Sequence, residues 1–325
     1  MSDERKHNYG DLKQMQALPL DAKILMTAQR LKVWYDHYDG DVYLSFSGGK
    51  DSTVLRDIIQ HHAPGVYDIP SVYVDTGLEY PEVRAFALER ADVVLKPKMN
   101  FRQVIQTYGY PVVSKEIANI VRGARIGMTR QDGSYALRIQ ALQGVRRNKD
   151  GSPSQYNCKK WAYLLDAPFP ISEQCCDVMK KRPAHAYEKE TGRMPILATM
   201  VTESTLRLQQ WFRNGCNAFE AKRPTSKPMS FWTEQDVLEY LHRYKLPYAS
   251  VYGEIKQDAD GHFYNTGVER TGCMFCAFGA HMEDCPNRFH RMKETHPKQY
   301  AYCMKPLEEG GLGMDKVLEY IGVDH

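Results

Sequence analysis

Six consecutive residues combine two glycines with hydroxyl, cationic and carboxylate side chains; they are Ser47, Gly48, Gly49, Lys50, Asp51 and Ser52. Glycines let the backbone approach a ligand closely, and successive N–H groups can form a nest for an anion. The serines add hydroxyl donors, Lys50 adds a cation, and Asp51 offers a contact for Mg²⁺. The alternative is a tight turn of small residues, and the wider glycine-to-lysine spacing of a Walker loop is absent. We interpret residues 47–52 as a phosphate-binding loop.

The chain has eight cysteines, and four of them form two pairs. Cys175 and Cys176 are adjacent and precede two lysines, whose charge favours thiolate. Cys273 and Cys276 follow almost 100 residues later with the spacing of a metal-binding turn. Four thiolates suit either an iron–sulfur cluster or tetrahedral zinc, and spacing alone does not choose between them.

The other four cysteines have a simpler expected role. Cys158, Cys216 and Cys303 are expected to be buried as small hydrophobic side chains. Cys285 is expected to be buried as well, unless it replaces one of the adjacent pair as a ligand or is a free reactive thiol.

Alternating strands and helices must position the phosphate loop. Apolar periodicity predicts a helix over 21–37, a buried strand over 41–46 and a helix over 53–62. The same alternation continues with a predicted strand over 71–74 and a helix from Pro81 onward. A further strand is predicted over 92–95, and a further helix over 101–108. Strands with two apolar faces belong to parallel sheets, so the predicted fold is α/β with a doubly wound parallel sheet.

The second half is less regular. A long, irregular segment is expected over 127–157, followed by a strand over 195–201. A helix is predicted over 233–244, with Thr233 as its N-cap, and a last helix over 314–321. We predict an N-terminal helical segment (1–40), a nucleotide-binding α/β domain (41–230) and a Cys-rich, mainly helical C-terminal region (231–325).

The composition excludes some classes of protein. The chain has 325 residues, 42% of them hydrophobic, and a net charge of +3, which gives no argument for a nucleic-acid partner. It lacks the run of about 18 apolar residues that a membrane span requires and the apolar segment of a secretory signal. We expect a cytoplasmic protein without a membrane partner.

Several segments resemble one known family. Residues 47–52 match the SGGxDS loop of the PP-loop ATP pyrophosphatases, which cleave ATP between the α and β phosphates. Residues 73–82 and 228–237 are similar to motifs of the phosphoadenosine phosphosulfate (PAPS) reductase branch of that superfamily. Residues 202–204 and Arg207 are similar to a set of Ser and Arg residues that faces the nucleotide in the family.

The resemblance implies an adenine nucleotide alpha hydrolase-like fold and a set of functional residues. Lys50, Asp51 and Asp75 are the catalytic candidates. The residues expected to bind ATP and Mg²⁺ are Ser47, Gly48, Gly49, Lys50, Asp51, Ser52, Asp75, Thr76, Gly77, Glu203, Ser204 and Arg207. The cysteine pairs look like the [4Fe-4S] pattern of adenylylsulfate reductases, so Cys175, Cys176, Cys273 and Cys276 are the expected cluster ligands.

Three functions are compatible with these motifs. The first is an ATP pyrophosphatase that adenylates a substrate for sulfur transfer with help from a [4Fe-4S] cluster, similar to the iron–sulfur PP-loop proteins of DNA phosphorothioation. The second is a sulfonucleotide reductase that makes sulfite, against which the sequence lacks the reductases' Glu-Cys-Gly-Leu-His tail and retains a complete phosphate loop. The third is a non-catalytic nucleotide sensor or partner subunit.

We favour the first function. Its expected partners are ATP and an unidentified acceptor, either a nucleic acid or a small molecule. A sulfur- or electron-donor protein and a homo-oligomer are compatible with the sequence.

Overall fold

The computed structural model describes residues 5–130 and 132–325. Its strands are β1 (Val42–Ser45), β2 (Ser71–Val74), β3 (Val93–Leu95), β4 (Val112–Val113), β5 (Met194–Leu197), β6 (Asn217–Ala218), β7 (Thr225–Ser226), β8 (Ile255–Gln257), β9 (Phe263–Asn265) and β10 (Ala277–Phe278). Its α-helices are α1 (Tyr9–Gln16), α2 (Leu20–His37), α3 (Lys50–His61), α4 (Pro81–Arg90), α5 (Phe101–Tyr108), α6 (Lys115–Arg130), α7 (Ala136–Gln143), α8 (Arg182–Thr191), α9 (Thr205–Asn214), α10 (Glu234–Arg243), α11 (Arg288–Thr295), α12 (Pro297–Met304) and α13 (Met314–Tyr320).

The described residues divide into two compact units that interleave along the chain. Unit 1 contains the described residues up to Lys96 together with Pro183–Thr271, and unit 2 contains Pro97–Arg182 together with Gly272–His325. These boundaries cross the predicted domains 41–230 and 231–325 instead of following them. The sequence pattern does not reveal this, because a segment that leaves one unit and later returns keeps its own local periodicity.

Unit 1 is built on a mainly parallel sheet with the strand order β3-β2-β1-β5-β7-β6. The strands β1, β2, β3, β5 and β7 run parallel, and only β6 pairs antiparallel within this sheet. The central strand β1 is buried on both faces, as a strand with helices on both sides requires. The α/β fold class with a parallel sheet is therefore confirmed.

Helices α2, α3 and α10 complete the core of unit 1. Leu31, Trp34 and Leu44 are almost wholly buried there. Lys23 of α2 is also buried, and its ammonium group donates to both carboxylate oxygens of Asp236 in α10, at 2.6 and 2.7 Å. Asp236 also accepts from the backbone of Thr233 and closes a capping box at the start of α10. This arrangement fixes the first turn of α10.

Unit 2 is mainly helical and contains one short parallel pair of strands. Strand β10 pairs with β4 in the register Ala277↔Val112. Within the region where the sequence predicts an irregular segment, 127–157, helices α6 and α7 cover residues 127–130 and 136–143. Gly123 and Gly127 allow this, because a Cβ atom at Gly127 would lie 2.8 Å from the carbonyl oxygen of Ser134. The mainly helical character of the C-terminal segment agrees with the prediction.

Among the described residues, none of the helices combines the length and the apolar character that crossing a membrane requires.

Candidate functional site

A cavity of about 270 Å³ lies in unit 1 at the carboxyl ends of β1 and β5. In the sheet, β2 lies on one side of β1 and β5 lies on the other side. The direction in which successive strands are added therefore reverses between β1 and β5. Open α/β sheets bind ligands in the crevice at this kind of switch point. The cavity is below the roughly 300–1,000 Å³ of pockets that enclose a drug-sized ligand, so its size suits the phosphate end of a nucleotide.

The predicted phosphate loop forms one wall of the cavity. Ser47 and Ser52 lie 3.0 Å apart through their hydroxyl oxygens, and the backbone N–H of Ser47 donates to the hydroxyl of Ser52 at 3.2 Å. Gly48 has a φ of +74°, a conformation that side chains disfavour. Helix α3 begins directly after Gly49. This N-cap residue has no side chain, so it provides no side-chain cap for the helix. The N-terminus of α3 is thus available to an anion.

Lys50 is buried and directs its ammonium group into a polar setting. The group donates to Asn265 Oδ1 at 2.9 Å and to Glu234 Oε1 at 3.2 Å. It also lies 5.2 Å from the centre of the Tyr252 ring. The hydroxyl group of Tyr252 is 2.6 Å from that of Thr271, which lines the same cavity.

Asp51 follows Lys50 and is half-buried where it lines the cavity. Burial raises the pKa of its carboxyl group, and the positive charges of Lys50 and Arg270 oppose this effect only in part. A half-buried carboxylate whose charge its neighbours compensate incompletely is a fitting ligand for a small hard cation. The residues present therefore fit a Mg²⁺ ion held at Asp51.

The opposite wall comes from the segment after β5 and from α9. Glu203 and Arg207 form an ion pair, and Glu203 also accepts from the backbone N–H of Met200 at 3.0 Å. Burial lowers the pKa of Arg207. The hydroxyl of Thr199 is buried and has no hydrogen-bond partner in the part of the chain that the structure describes. Such a group is expected where a ligand completes the site.

The structure brings together only part of the predicted ATP site. Ser47, Gly49, Lys50, Asp51, Glu203 and Arg207 line the cavity. Gly48 and Ser52 shape the loop from behind, and Ser204 caps α9 by accepting from the backbone N–H of Arg207 at 3.2 Å.

Asp75, Thr76 and Gly77 are not among the residues that line the cavity. Both carboxylate oxygens of Asp75 accept from Arg84, at 2.7 and 2.8 Å. The hydrogen bonds from Arg84 hold the pKa of Asp75 below its usual range. Thr76 donates to the carboxylate of Glu79 at 2.7 Å. These side chains are engaged within their own strand–helix connection.

Sequence reasoning missed several residues of the cavity. They are Glu234, Tyr252, Glu269, Arg270 and Thr271, together with residues 198–200. Asn265, which accepts a hydrogen bond from the ammonium group of Lys50, was missed as well. Glu234 is the first residue of a helix that the sequence did predict, so its place at a helix N-terminus was available as a signal. The hairpin of β8 and β9 that carries Asn265 was not predicted, and nothing in its local pattern points to the phosphate loop.

All four predicted metal ligands belong to unit 2. The sulfur atoms of Cys175 and Cys176 are 4.0 Å apart. The thiol of Cys175 donates to the sulfur of Cys176, and the charges of Lys115 and Lys180 add to this effect. Together they lower the pKa of Cys176 to about 5. A π-helical turn, Asp177–Lys181, follows the pair directly, and such turns are frequent at functional sites.

Cys273 and Cys276 lie on the turn that precedes β10. The backbone N–H of Cys276 donates to the carbonyl oxygen of Cys273 at 3.1 Å, and Arg288 donates to the carbonyl oxygen of Cys276 at 2.9 Å. Burial raises the pKa of Cys276 to about 11, with smaller contributions from the charges of Cys273 and Cys176. The two cysteine pairs thus act on each other electrostatically.

All four thiols belong to unit 2, as ligands of one shared metal centre must. Thiolates that share one zinc ion lie about 3.8 Å apart, whereas those of a [4Fe-4S] cluster bind separate irons and are more widely spaced. Among residues 5–130 and 132–325, one set of three potential ligand atoms from His, Cys, Asp or Glu lies within 4.8 Å of one another. That set is Cys285, His290 and Asp324, and it includes none of the four thiols. No three of these thiols all lie within 4.8 Å of one another, but the sulfur atoms of Cys175 and Cys176 are only 4.0 Å apart. The spacing therefore does not select iron over zinc.

The remaining cysteines take other positions. Cys158, Cys216 and Cys303 are buried, and burial raises the pKa of all three. Cys285 is exposed and lies beside His290 and Asp324. Burial as a small hydrophobic side chain, the expected role of Cys285, is wrong.

Comparison with known proteins gives a fold likeness. No family model matches the chain. No curated protein matches it either. Among solved structures, the chain is similar to phosphoadenylyl-sulfate (PAPS) reductase from Candida auris, solved in complex with phosphate. The identity is 13%, the TM-score is 0.38, and the match covers 80% of this chain and 99% of the other.

Proposed function

We propose that this protein is an ATP pyrophosphatase that adenylates an acceptor and prepares it for sulfur transfer. The observation that carries the proposal is the cavity at the β1–β5 switch point. There the N-terminus of α3, Lys50, Arg207 and a half-buried carboxylate, Asp51, face one space. Phosphates need cations and N–H donors, and their Mg²⁺ needs a carboxylate.

The first chemical step is attack of an acceptor oxygen on the α-phosphorus of ATP. The bond between that phosphorus and the bridging oxygen breaks, and pyrophosphate leaves with the bonding electrons. Lys50 and the N-terminus of α3 offset the charge that develops on the leaving group. Mg²⁺, when bound at Asp51, supplies further charge neutralisation between the phosphates.

The second step is displacement of AMP by a sulfur nucleophile, so that the acceptor oxygen leaves with AMP. A [4Fe-4S] cluster bound by Cys175, Cys176, Cys273 and Cys276 supplies a place where sulfur can be held. The protein's own contribution there is a low thiol pKa at Cys176, which Lys115 and Lys180 support. Thiolate is the form that binds metal at neutral pH.

The decisive experiment incubates the anaerobically purified protein with Mg²⁺ and ATP labelled in the adenine ring, in the absence of a sulfonucleotide. We expect AMP and pyrophosphate in equal amounts, stimulated by extracts that contain the acceptor. The formation of ADP and phosphate would contradict the proposal, and so would a complete absence of turnover with every extract tried.

A parallel assay distinguishes the reductase. Adenylylsulfate or PAPS is supplied with thioredoxin, and sulfite is measured. The proposed function predicts no sulfite. Cys303, one of the two candidate attacking thiols, is wholly buried and its pKa is raised, so it cannot reach a sulfonate. Rapid sulfite release would favour the reductase in place of the pyrophosphatase.

A further inference from the structure

A second cluster of metal-ligating side chains lies in unit 2, apart from the four cysteines of the proposed iron–sulfur site. Cys285, His290 and Asp324 each offer one ligand atom, and these atoms all lie within 4.8 Å of one another. The Nε2 atom of His290 is 3.7 Å from a carboxylate oxygen of Asp324. In a tetrahedral zinc site with bonds of about 2.0–2.3 Å, ligand atoms are about 3.3–3.8 Å apart. The cluster therefore needs little movement to enclose one ion.

One buried side chain holds the backbone at two of the three residues. Asn287 is 5% exposed and caps α11. Its Oδ1 accepts from the backbone N–H of His290 at 3.2 Å, and its Nδ2 donates to the carbonyl oxygen of Asp324 at 2.6 Å. Cys285 lies two residues before Asn287 in the same loop. Asn287 thus anchors the backbone of His290 and Asp324 together, as preorganised metal sites require.

Neighbouring contacts restrain both segments further. Before the loop, Glu283 accepts from the backbone N–H of Arg288 at 2.8 Å. After α13, Val323 is buried and donates to the carbonyl oxygen of Leu318 at 2.9 Å. Asp324 follows directly, so its carboxylate is brought to α11 by an anchored segment of chain.

The histidine of this cluster has an incomplete set of partners. The Nδ1 atom of His290 is buried and finds no hydrogen-bond partner within the described residues. The contact of its other nitrogen with Asp324, at 3.7 Å, is too long for a hydrogen bond. Cys285 and Asp324 are exposed, so water can reach the cluster.

We propose that Cys285, His290 and Asp324 form a mononuclear binding site for a divalent transition metal ion, Zn²⁺ above all. A thiolate, an imidazole and a carboxylate are ligands that zinc accepts in proteins. Three protein ligands leave a fourth position for water, which is the arrangement of reactive zinc sites. The site is independent of the proposed cluster, because it uses none of the four paired cysteines.

The test follows the thiol of Cys285 in the full chain, purified anaerobically with its iron. The protein is treated with iodoacetamide with and without micromolar Zn²⁺, and alkylation of Cys285 is followed by peptide mass spectrometry. A metal-bound thiolate is protected, so we expect Zn²⁺ to slow the modification by about tenfold or more. His290→Ala and Asp324→Asn should weaken Zn²⁺ binding by at least about tenfold and remove this protection.

Two controls make the outcome decisive. Asp284→Asn changes the exposed acid next to Cys285 and should protect the thiol as the wild type does. Cys285→Ser should bind no zinc at this site and keep all of its iron. Loss of iron from Cys285→Ser would make Cys285 a cluster ligand and overturn the proposal. Equal protection in His290→Ala, or none in the wild type, would also overturn it.

Discussion

At the scale of single residues, Lys50 illustrates a cation held ready for a ligand. Its ammonium group is buried, and its two protein partners are an amide oxygen and one carboxylate oxygen. A phosphate oxygen offers a stronger, charge-assisted hydrogen bond than the amide does. Binding of ATP is then an exchange of partners at Lys50.

Lys50→Ala should weaken ATP binding by more than about tenfold, because a charge-assisted hydrogen bond contributes roughly 1.5–3 kcal/mol. Isothermal titration with ATP and Mg²⁺ measures the effect. The matched control is Lys256→Ala, which removes an exposed lysine of the same unit that is paired with Glu254. If both variants bind ATP equally well, the loop at residues 47–52 is only a turn.

Asp51 predicts a dependence of stability on pH. Burial raises its pKa above the ordinary 3.8, so the folded protein keeps the proton over a range in which the unfolded chain has lost it. Stability contributed by the protonated group is fully present below pH 3.8 and is lost as the pH rises through the folded-state pKa.

Asp51→Asn removes this titration. In the absence of nucleotide, the melting temperature of the variant should fall less steeply with rising pH than that of the wild type, and Mg²⁺ should no longer strengthen ATP binding. Asp75→Asn is the contrasting variant, because Arg84 lowers the pKa of Asp75. Its stability relative to the wild type should become worse as the pH rises from the lowered pKa of Asp75 to the ordinary value of 3.8, and the difference should stay constant at higher pH. Parallel pH profiles for the wild type and Asp51→Asn would contradict this interpretation of Asp51.

At the scale of elements, the connection from β1 to α3 depends on one glycine more than on the other. A Cβ atom at Gly48 would lie 2.8 Å from the Cβ of Ala87 and 2.9 Å from the carbonyl oxygen of Val83, at a φ of +74°. A Cβ atom at Gly49 would lie no closer than 3.3 Å to its neighbours, and its φ of −77° is ordinary. The sequence alone does not distinguish the two.

Gly48→Ala should therefore lower the free energy of unfolding by about 2–4 kcal/mol, the sum of backbone strain and overpacking. Gly77→Ala separates these two causes, because Gly77 has a φ of +70° and no atom within 4 Å of an added Cβ. It should show the strain alone, about 1–2 kcal/mol. Urea denaturation of both variants measures the difference, and an equal loss of stability would exclude crowding against α4.

Individual elements were predictable where local chemistry decides them. The strand β2 and the helix α5 have the predicted bounds, and Thr233 caps α10 as expected. The phosphate loop was predictable because its six residues are consecutive. Asn265, which contacts Lys50, and Arg270, which lines the cavity, were not predictable, because the hairpin and loop that carry them are positioned by tertiary packing. The resemblance also did not reveal that Arg84 engages Asp75.

At the scale of the whole molecule, the interleaving of the two units gives the cysteines a structural role. Unit 2 is assembled from two separate segments, and each segment contributes one cysteine pair. Among the strands described, the ladder that joins these segments consists of the short strands β4 and β10. A metal cluster bound by both pairs would close a long loop and stabilise unit 2 from within.

The iron should therefore protect unit 2 selectively. We expect about four irons per chain, the count of a [4Fe-4S] cluster, and a brown colour that Cys273→Ser and Cys276→Ser remove. Cys216→Ser, a change at a buried cysteine of unit 1, should keep both iron and colour.

Hydrogen exchange tests whether the stabilisation is local. In Cys273→Ser, exchange should become faster at Val112 and Ala277, which pair across the two segments, and stay unchanged at Leu44 and Ile196 in the sheet of unit 1. Faster exchange in both units would mean that the metal stabilises the protein globally. One zinc and no iron would retain the cross-link between the segments but remove the proposed sulfur carrier, since zinc has no redox chemistry and the thiolates would share a single ion.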